Sequence, residues 1–273
     1  MTSTPDAPQS SDVEAAARRL QQAAETGVPC GPVRDLIGAD DVAAAYAVQS
    51  VIIGDRVAAG AKVVGRKIGL TSPAVQQWLG VDTPDFGVLL DDMEYAEDET
   101  VPMSRLLQPR AEAESAFVLG ADLLEGPFTA ESVRGAVDHA RAAIEIVDSR
   151  VSDWDVRLAD TVADNASSGL YVMGAERRTL EELEPVEVQM VMTCDGEEVS
   201  TGDGAACLGD PLNALAWLAT AALEYGEPLR AGQVILSGAL GPVHPVPAGA
   251  VVRADITGLG SVTARFSGDA VAG

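Results

Sequence analysis

The sequence predicts an α+β fold, in which a helical N-terminal region leads into a β-rich domain with its helices packed outside. Three observations predict it. Ala-rich stretches with helix-start signals fill the chain up to Gly60, short apolar runs bounded by Gly, Pro, Asp and Asn follow, and two helical stretches interrupt those runs. At 273 residues the chain is long enough for one large domain or two small ones. The expected division is a disordered tail over 1–11, a helical region over 12–60 and a β-rich domain over 61–273.

The opening residues are rich in Ser, Thr, Pro and Gln and have little to bury. Ser11 or Asp12 then caps a helix through DVEAAARRLQQAAE, where an early Glu and Ala-rich propensity agree. A second helix starts at Asp40 or Asp41 and carries VAAAYAVQSVIIGDRVAAG, with Ala and Val on its buried face and Gly60 near its end. Strands are expected in KVVGRKIGL, FGVLL, RAEAESAFVLG, AIEIVDSR, GLYVMG, EVQMVMTCDG, QVILSGAL and AVVRADITGLGSVTARF. Asp195-Gly196 marks one tight hairpin turn and Gly258-Leu259-Gly260 another. The interrupting helices are expected from Ala130 to Ala142 and, after Asp210-Pro211, through LNALAWLATAALEYG to Gly226.

Composition narrows the function. Aromatic residues make up only 4% of the chain, so the core is built mainly from Val, Leu, Ile and Ala. The formal charge of −24, from 42 acidic against 18 basic residues, repels phosphate backbones and anionic membranes. Neither a nucleic acid nor a membrane is therefore expected as a partner. Such a charge serves solubility first, though carboxylates for a metal can hide within it. Cys30, Cys194 and Cys207 are odd in number and widely spaced, which fits a reducing compartment. The N-terminus has no basic stretch followed by an apolar one, and no uncharged run reaches spanning length, so a cytoplasmic location is expected. His139 and His244 are the only histidines, which rules out a three-His zinc site.

The most informative segment is Pro109-Arg110-Ala111-Glu112-Ala113-Glu114-Ser115. On a strand, Glu112 and Glu114 project from the same face, and a buried pair of carboxylates must be neutralised by protons, a cation or basic side chains. The plain alternative is an acidic, solvent-facing strand. Glu145 lies within the apolar run AAIEIV, where a charge is costly unless paired or liganded; a salt bridge to Arg110, Arg141 or Arg150 is the competing account. Three carboxylates without His or Cys suit a hard ion, Mg²⁺ or Mn²⁺, with positions open for water or substrate oxygens.

Lys67, one of two lysines, alternates with apolar neighbours in GRKIGLTS, ahead of a turn and a helix capped by Thr71 or Ser72. A partly buried lysine binds a carboxylate or moves a proton; an edge lysine against aggregation is the other reading. Asp85 in DTPDFG is an acid/base candidate or a turn cap. The polar run DTVADNASSG, with Ser167, suits substrate hydrogen bonding or an ordinary loop. In SGALGP, the glycines after Ser237 let backbone amides approach an anion.

Together GRKIGLTS, GVDTPDFGVLLDDM, QPRAEAESAFVLGADL, DTVADNASSG and ILSGALGP resemble the 2-keto-4-pentenoate (2-hydroxypenta-2,4-dienoate) hydratase family of the fumarylacetoacetate hydrolase superfamily, and PVRDLIG with AAAYAVQ is similar to its N-terminal portion. The resemblance implies a mixed β-roll core with peripheral helices, and water addition to the dienoate to give 4-hydroxy-2-oxopentanoate in meta-cleavage aromatic catabolism. It implies Glu112, Glu114 and Glu145 as metal ligands, Lys67 and Asp85 beside the substrate, Ser167 as an active-site serine, and Ser237, Gly238 and Leu240 at the substrate. It also implies a homo-oligomer, a pentamer or decamer. The superfamily's carbon–carbon hydrolases use a His-Glu dyad with an early histidine, and this chain has none before His139, which the pattern places on a surface helix. The nearer rival is 4-oxalocrotonate decarboxylase, in which GLKMGLTS, PKIEAE and a GGIT-type turn stand where this chain has GRKIGLTS, PRAEAE and GALGP. A non-catalytic partner in a hydratase–decarboxylase complex is the remaining alternative.

Overall fold

In a computed structural model the structure describes residues 10–72, 76 and 81–269. The first helix, α1 (Ser10–Thr26), begins inside the expected tail, whose residues 1–9 lie outside the described residues. A single turn, α2 (Arg34–Ile37), precedes α3 (Val42–Ala58), whose N-terminus is capped by the Asp41 carboxylate accepting from the Ala44 amide at 2.9 Å. Helix α1 turns Ala16, Ala17, Leu20 and Ala23 inward against α3, which makes an Ala-rich, closely packed pair.

The strands form two sheets. The larger has the order β2-β1-β10-β5-β6-β7-β3, with β11 also on β5, and contains β1 (Val63–Gly69), β2 (Asp85–Leu90), β3 (Glu94–Tyr95), β5 (Arg110–Leu119), β6 (Val137–Val147), β7 (Ser168–Met173), β10 (Val234–Ala239) and β11 (His244–Pro245). The smaller has the order β4-β13-β12-β8-β9, from β4 (Thr100–Val101), β8 (Gln189–Cys194), β9 (Glu197–Asp203), β12 (Val251–Ile256) and β13 (Gly260–Phe266). Both are mixed: β1 runs parallel to β10, β3 to β7 and β4 to β13, and the other pairs are antiparallel. Strands β12 and β13 pack on β6 and β7, burying Ile144, Val252, Ala254, Val262 and Ala264.

Both expected turns are present. Asp195 and Gly196 join β8 to β9 with φ of 52° and 87°, the two positive values that a tight hairpin needs. Gly258 and Gly260 carry the return from β12 to β13. The helix expected after Asp210 spans Pro211–Glu224, with Asp210 as N-cap and Pro211 in its first turn. It falls within Gly204–Glu224, a stretch long and apolar enough to cross a membrane, yet it buries Leu212, Leu215 and Leu218 in this fold.

One expectation is corrected. In place of a helix from Ala130 to Ala142 there is a short α4 (Ala130–Arg134), and residues from Val137 onward already belong to β6. The Ala-rich run favours a helix locally, but ten register pairs with β5 override that preference. His139 is accordingly not on a surface helix; it is buried in β6 opposite Val118, with Nδ1 2.8 Å from Asp138. Five residues of strand still lie between it and Glu145, a separation of about 20 Å at an ordinary strand rise.

The carboxylate and lysine site

Register builds the centre of the site. Glu112 on β5 sits directly opposite Glu145 on β6, and Glu114 follows on the same face two residues along. One carboxylate oxygen from each of the three comes within 4.8 Å of the others. Glu114 and Glu145 are fully buried, while Glu112 keeps partial exposure and marks the more open side. The Gly238 amide donates to Glu114 Oε2 at 2.8 Å, and its φ of 110° together with the close approach of Thr71 leaves no space for a side chain there.

From β1, Lys67 reaches Glu145 Oε1 at 3.1 Å with only 2% of its surface exposed. None of the arginines considered for Glu145 is its partner. Arg150 engages Asp164 and the Ser168 carbonyl, Arg141 binds the carbonyls of Met173 and Gly174, and Arg110 stacks 4.4 Å from the Trp154 ring centre. Asp85, the first residue of β2, lies opposite Gly69, and a Cβ built on Gly69 would come within 2.2 Å of its Oδ1. A glycine there leaves room for the carboxylate.

The electrostatics follow from burial. Desolvation opposes the Lys67 charge, but Glu145, Glu112, Asp85 and Glu114 outweigh it and hold the ammonium above its ordinary range. Desolvation pushes Asp85 up to about 6, against the pull of Lys67. Glu112 is pushed up to about 7 by desolvation and the Glu145 charge, and Glu114 is raised well above the usual range by desolvation and both glutamates. One ammonium among four acids is too little positive charge. Glu114 Oε1, Glu145 Oε2, both Asp85 oxygens and the Ser237 hydroxyl are buried without a hydrogen-bond partner. The three glutamates therefore fit a divalent cation with oxygen ligands, and the remaining orphaned groups fit a polar substrate beside it.

Ser167 arrives differently. Helix α5 (Leu158–Ala163) leads into Asn165, Ala166 and Ser167, whose φ values of 56°, 52° and 52° place three successive L-residues in the left-handed region. The turn is held by Asn165, which accepts from the Val88 amide at 2.7 Å and donates to the Val88 carbonyl at 2.9 Å, as a neighbouring strand would. The Ser167 hydroxyl sits 3.2 Å from that of Thr161, which is one of the groups around Asp85. Ser237 and Gly238 adjoin the glutamates. Leu240 is a core residue with 0% exposure, its amide donating to the Ala113 carbonyl and its carbonyl accepting from the Asp203 amide. A cavity of about 450 Å³ lies behind the turn, against α1 and α3, but its buried charges Asp148, Arg150 and Asp164 satisfy one another. Thr161 and the Val88 clamp were not singled out from the sequence. Their only signal there is the density of small polar residues in DTVADNASSG. The helix expected from Thr71 or Ser72 lies outside the described residues, Gln76 apart.

Known proteins resemble this chain in sequence and in fold. The chain is 51% identical over 260 residues to 2-keto-4-pentenoate hydratase of Paraburkholderia xenovorans (strain LB400) and, to the same extent, to 2-keto-4-pentenoate hydratase 3 of Pseudomonas putida, covering 95% of this chain and 97% of each relative. Among solved structures it is similar to 4-oxalocrotonate decarboxylase from Pseudomonas putida G7 complexed with magnesium and adipate, at 36% identity and a TM-score of 0.90, covering 94% of this chain and 98% of that one. Residues 63–267 match the fumarylacetoacetate (FAA) hydrolase C-terminal family model, and they include both strands of the glutamate ladder, Lys67, Asp85 and Ser167. The chain belongs to the fumarylacetoacetate hydrolase C-terminal family.

Proposed function

We propose that this protein is a divalent-metal-dependent hydro-lyase that adds water to 2-hydroxypenta-2,4-dienoate, giving 4-hydroxy-2-oxopentanoate. The observation that carries the proposal is the convergence of Glu112, Glu114 and Glu145 within 4.8 Å, beside a buried Lys67 and Asp85, in a chain half identical to named hydratases. Glu112, Glu114 and Glu145 hold Mg²⁺ or Mn²⁺. A bound divalent cation supplies Lewis acidity toward an α-oxo acid.

The chain's own residues move protons and orient the substrate. Asp85, ionised above about pH 6, accepts the proton of the 2-hydroxyl as the dienol ketonises. The Lys67 ammonium donates to C5, which yields 2-oxopent-3-enoate with an electrophilic C4. Water then adds its oxygen at C4 and passes its proton to the now neutral Lys67 amine, while Asp85 returns to C3 the proton it took from the 2-hydroxyl, which restores both groups. Ser167 and the Ser237-Gly238 turn orient substrate and water. The cytoplasmic location belongs to the same reading, supported by three free cysteines and an acidic surface; so does a homo-oligomer, a pentamer or decamer, whose size sedimentation would measure.

Loss of dienol absorbance with added Mg²⁺ or Mn²⁺, followed on pentadienoate and hexadienoate in parallel, tests the activity and the substrate tail together. A second reading, decarboxylation of 4-oxalocrotonate, is favoured by the TM-score of 0.90 to that decarboxylase. Release of carbon dioxide from 4-oxalocrotonate without hydration of the dienoate would replace the first reading by the second.

A further inference from the structure

Strand β2 carries Asp85 at the edge of the large sheet, with β1 on one side and, among the described residues, no strand on the other. Its free edge is nonetheless satisfied. The Phe86 amide donates to Tyr46 Oη at 3.3 Å, and the Phe86 carbonyl accepts from Gln49 Nε2 at 3.0 Å. The same Gln49 Nε2 also donates to the Val162 carbonyl at 3.0 Å. Phe86 follows Asp85 in sequence, and Val162 follows Thr161, whose hydroxyl meets Ser167. One amide group, 4% exposed, thus ties the strand bearing the acid/base candidate to the helix feeding the serine turn. Tyr46 reinforces it by stacking on the Phe86 ring at 4.7 Å between centres. Both residues come from α3, which lies outside the matched family segment 63–267.

We infer that Gln49, with Tyr46, is a positioning residue for the reaction: α3 sets the separation of Asp85 from Thr161 and Ser167 by bridging the Phe86 and Val162 carbonyls. The inference rests on the hydratase reading for its kinetic consequence but not for its geometry. A polar residue turned into the apolar face of VAAAYAVQSVII is costly unless it is hydrogen-bonded, and these two bonds supply that reason. The glutamates stand on β5 and β6, away from the clamp, so metal affinity and catalytic alignment separate experimentally.

The test uses the full chain with Mg²⁺. Gln49→Met keeps length and removes both donors. Its kcat per metal-binding site, counted by calorimetry, should fall about tenfold or more, as expected when reacting groups lose their alignment. Its Kd for Mg²⁺ should stay within about twofold of the parent. The double variant Gln49→Met, Ser167→Ala should lose little beyond Ser167→Ala alone, because both act on one arrangement. An unchanged kcat per site, or losses that multiply independently, would overturn the inference. Should Gln49→Met not fold, Tyr46→Phe keeps the ring stack and removes one acceptor. Faster hydrogen exchange at the Phe86 amide with a lowered kcat per site supports the clamp, and the absence of either change overturns it. A wild-type protein that hydrates neither dienoate defeats the hydratase reading instead, and exchange at Phe86 then judges the clamp alone.

Discussion

The two sides of the site are built by different means. On one side Glu112, Glu114 and Glu145 stand on β5 and β6, adjacent strands in continuous register, where the backbone ladder alone sets their spacing. On the other, Asp85 sits on an edge strand and Ser167 in a left-handed turn, and side chains from distant segments hold them: Asn165 on Val88, Gln49 on Phe86 and Val162. The ladder side is stiff because many backbone bonds would have to break together. The clamped side depends on a few side-chain hydrogen bonds, each removable by one substitution. Metal binding should therefore follow the first side, and the alignment of proton-transfer groups the second.

Glu145→Gln strikes the ladder side hardest. It removes a proposed carboxylate ligand and the partner of buried Lys67, and metal-dependent turnover should fall by at least about a hundredfold. Dienol absorbance and Mg²⁺ calorimetry report this, and a variant with parental turnover would reject the ligand assignment. Asn165→Ala strikes the other side. It strands the Val88 amide and carbonyl at a buried edge, and urea unfolding should show a loss of about 2 kcal/mol, with Mg²⁺ affinity little changed. An equal loss of metal affinity would mean that the two sides are not separable.

A subtler difference lies in pH. Glu112 of the metal-free protein holds its proton up to about 7, chiefly through desolvation and then the Glu145 charge. Above that pH the carboxylate is already ionised, whereas below it the ion must displace a proton. Mg²⁺ affinity should then weaken as pH falls, by about tenfold per unit for each proton displaced. Calorimetry across buffers of differing ionisation enthalpy counts those protons, and an affinity flat through this range would contradict the shift. The smallest effect is expected at Arg56, on the exposed face of α3, where it pairs with Asp92 at 2.8 Å. Arg56→Ala should leave turnover intact and cost less than about 0.5 kcal/mol in chemical denaturation. A large loss of turnover there would implicate the whole helix rather than its buried Tyr46 and Gln49.

Much of this was legible in the chain, and the remainder was hidden for definite reasons. The alternation Glu112-Ala113-Glu114 announces a shared face because strand side chains repeat every two residues. Glu145 stands out as a charge in an apolar run. By contrast, β6 is central and covered on both faces, so it shows no alternation, and its Ala and Arg content imitates a helix until β5 is beside it. Gln49 in an apolar helix face was a signal, but nothing local says which carbonyls it meets.

By itself the sequence determined many of the local elements and which residues are chemically equipped for a site: the N-terminal helices, the hairpin turns, the paired glutamates, the scarce lysine and the near absence of histidine. Those properties depend on periodicity, capping and side-chain type, all of which act within a few residues. Only the tertiary structure decided that Lys67 pairs with Glu145, that Asn165 serves as a neighbour for β2, and that Ala-rich residues from Val137 onward become a strand. Each of those outcomes is a contact between segments far apart in the chain, and its free energy exists only once the surrounding elements have folded around it.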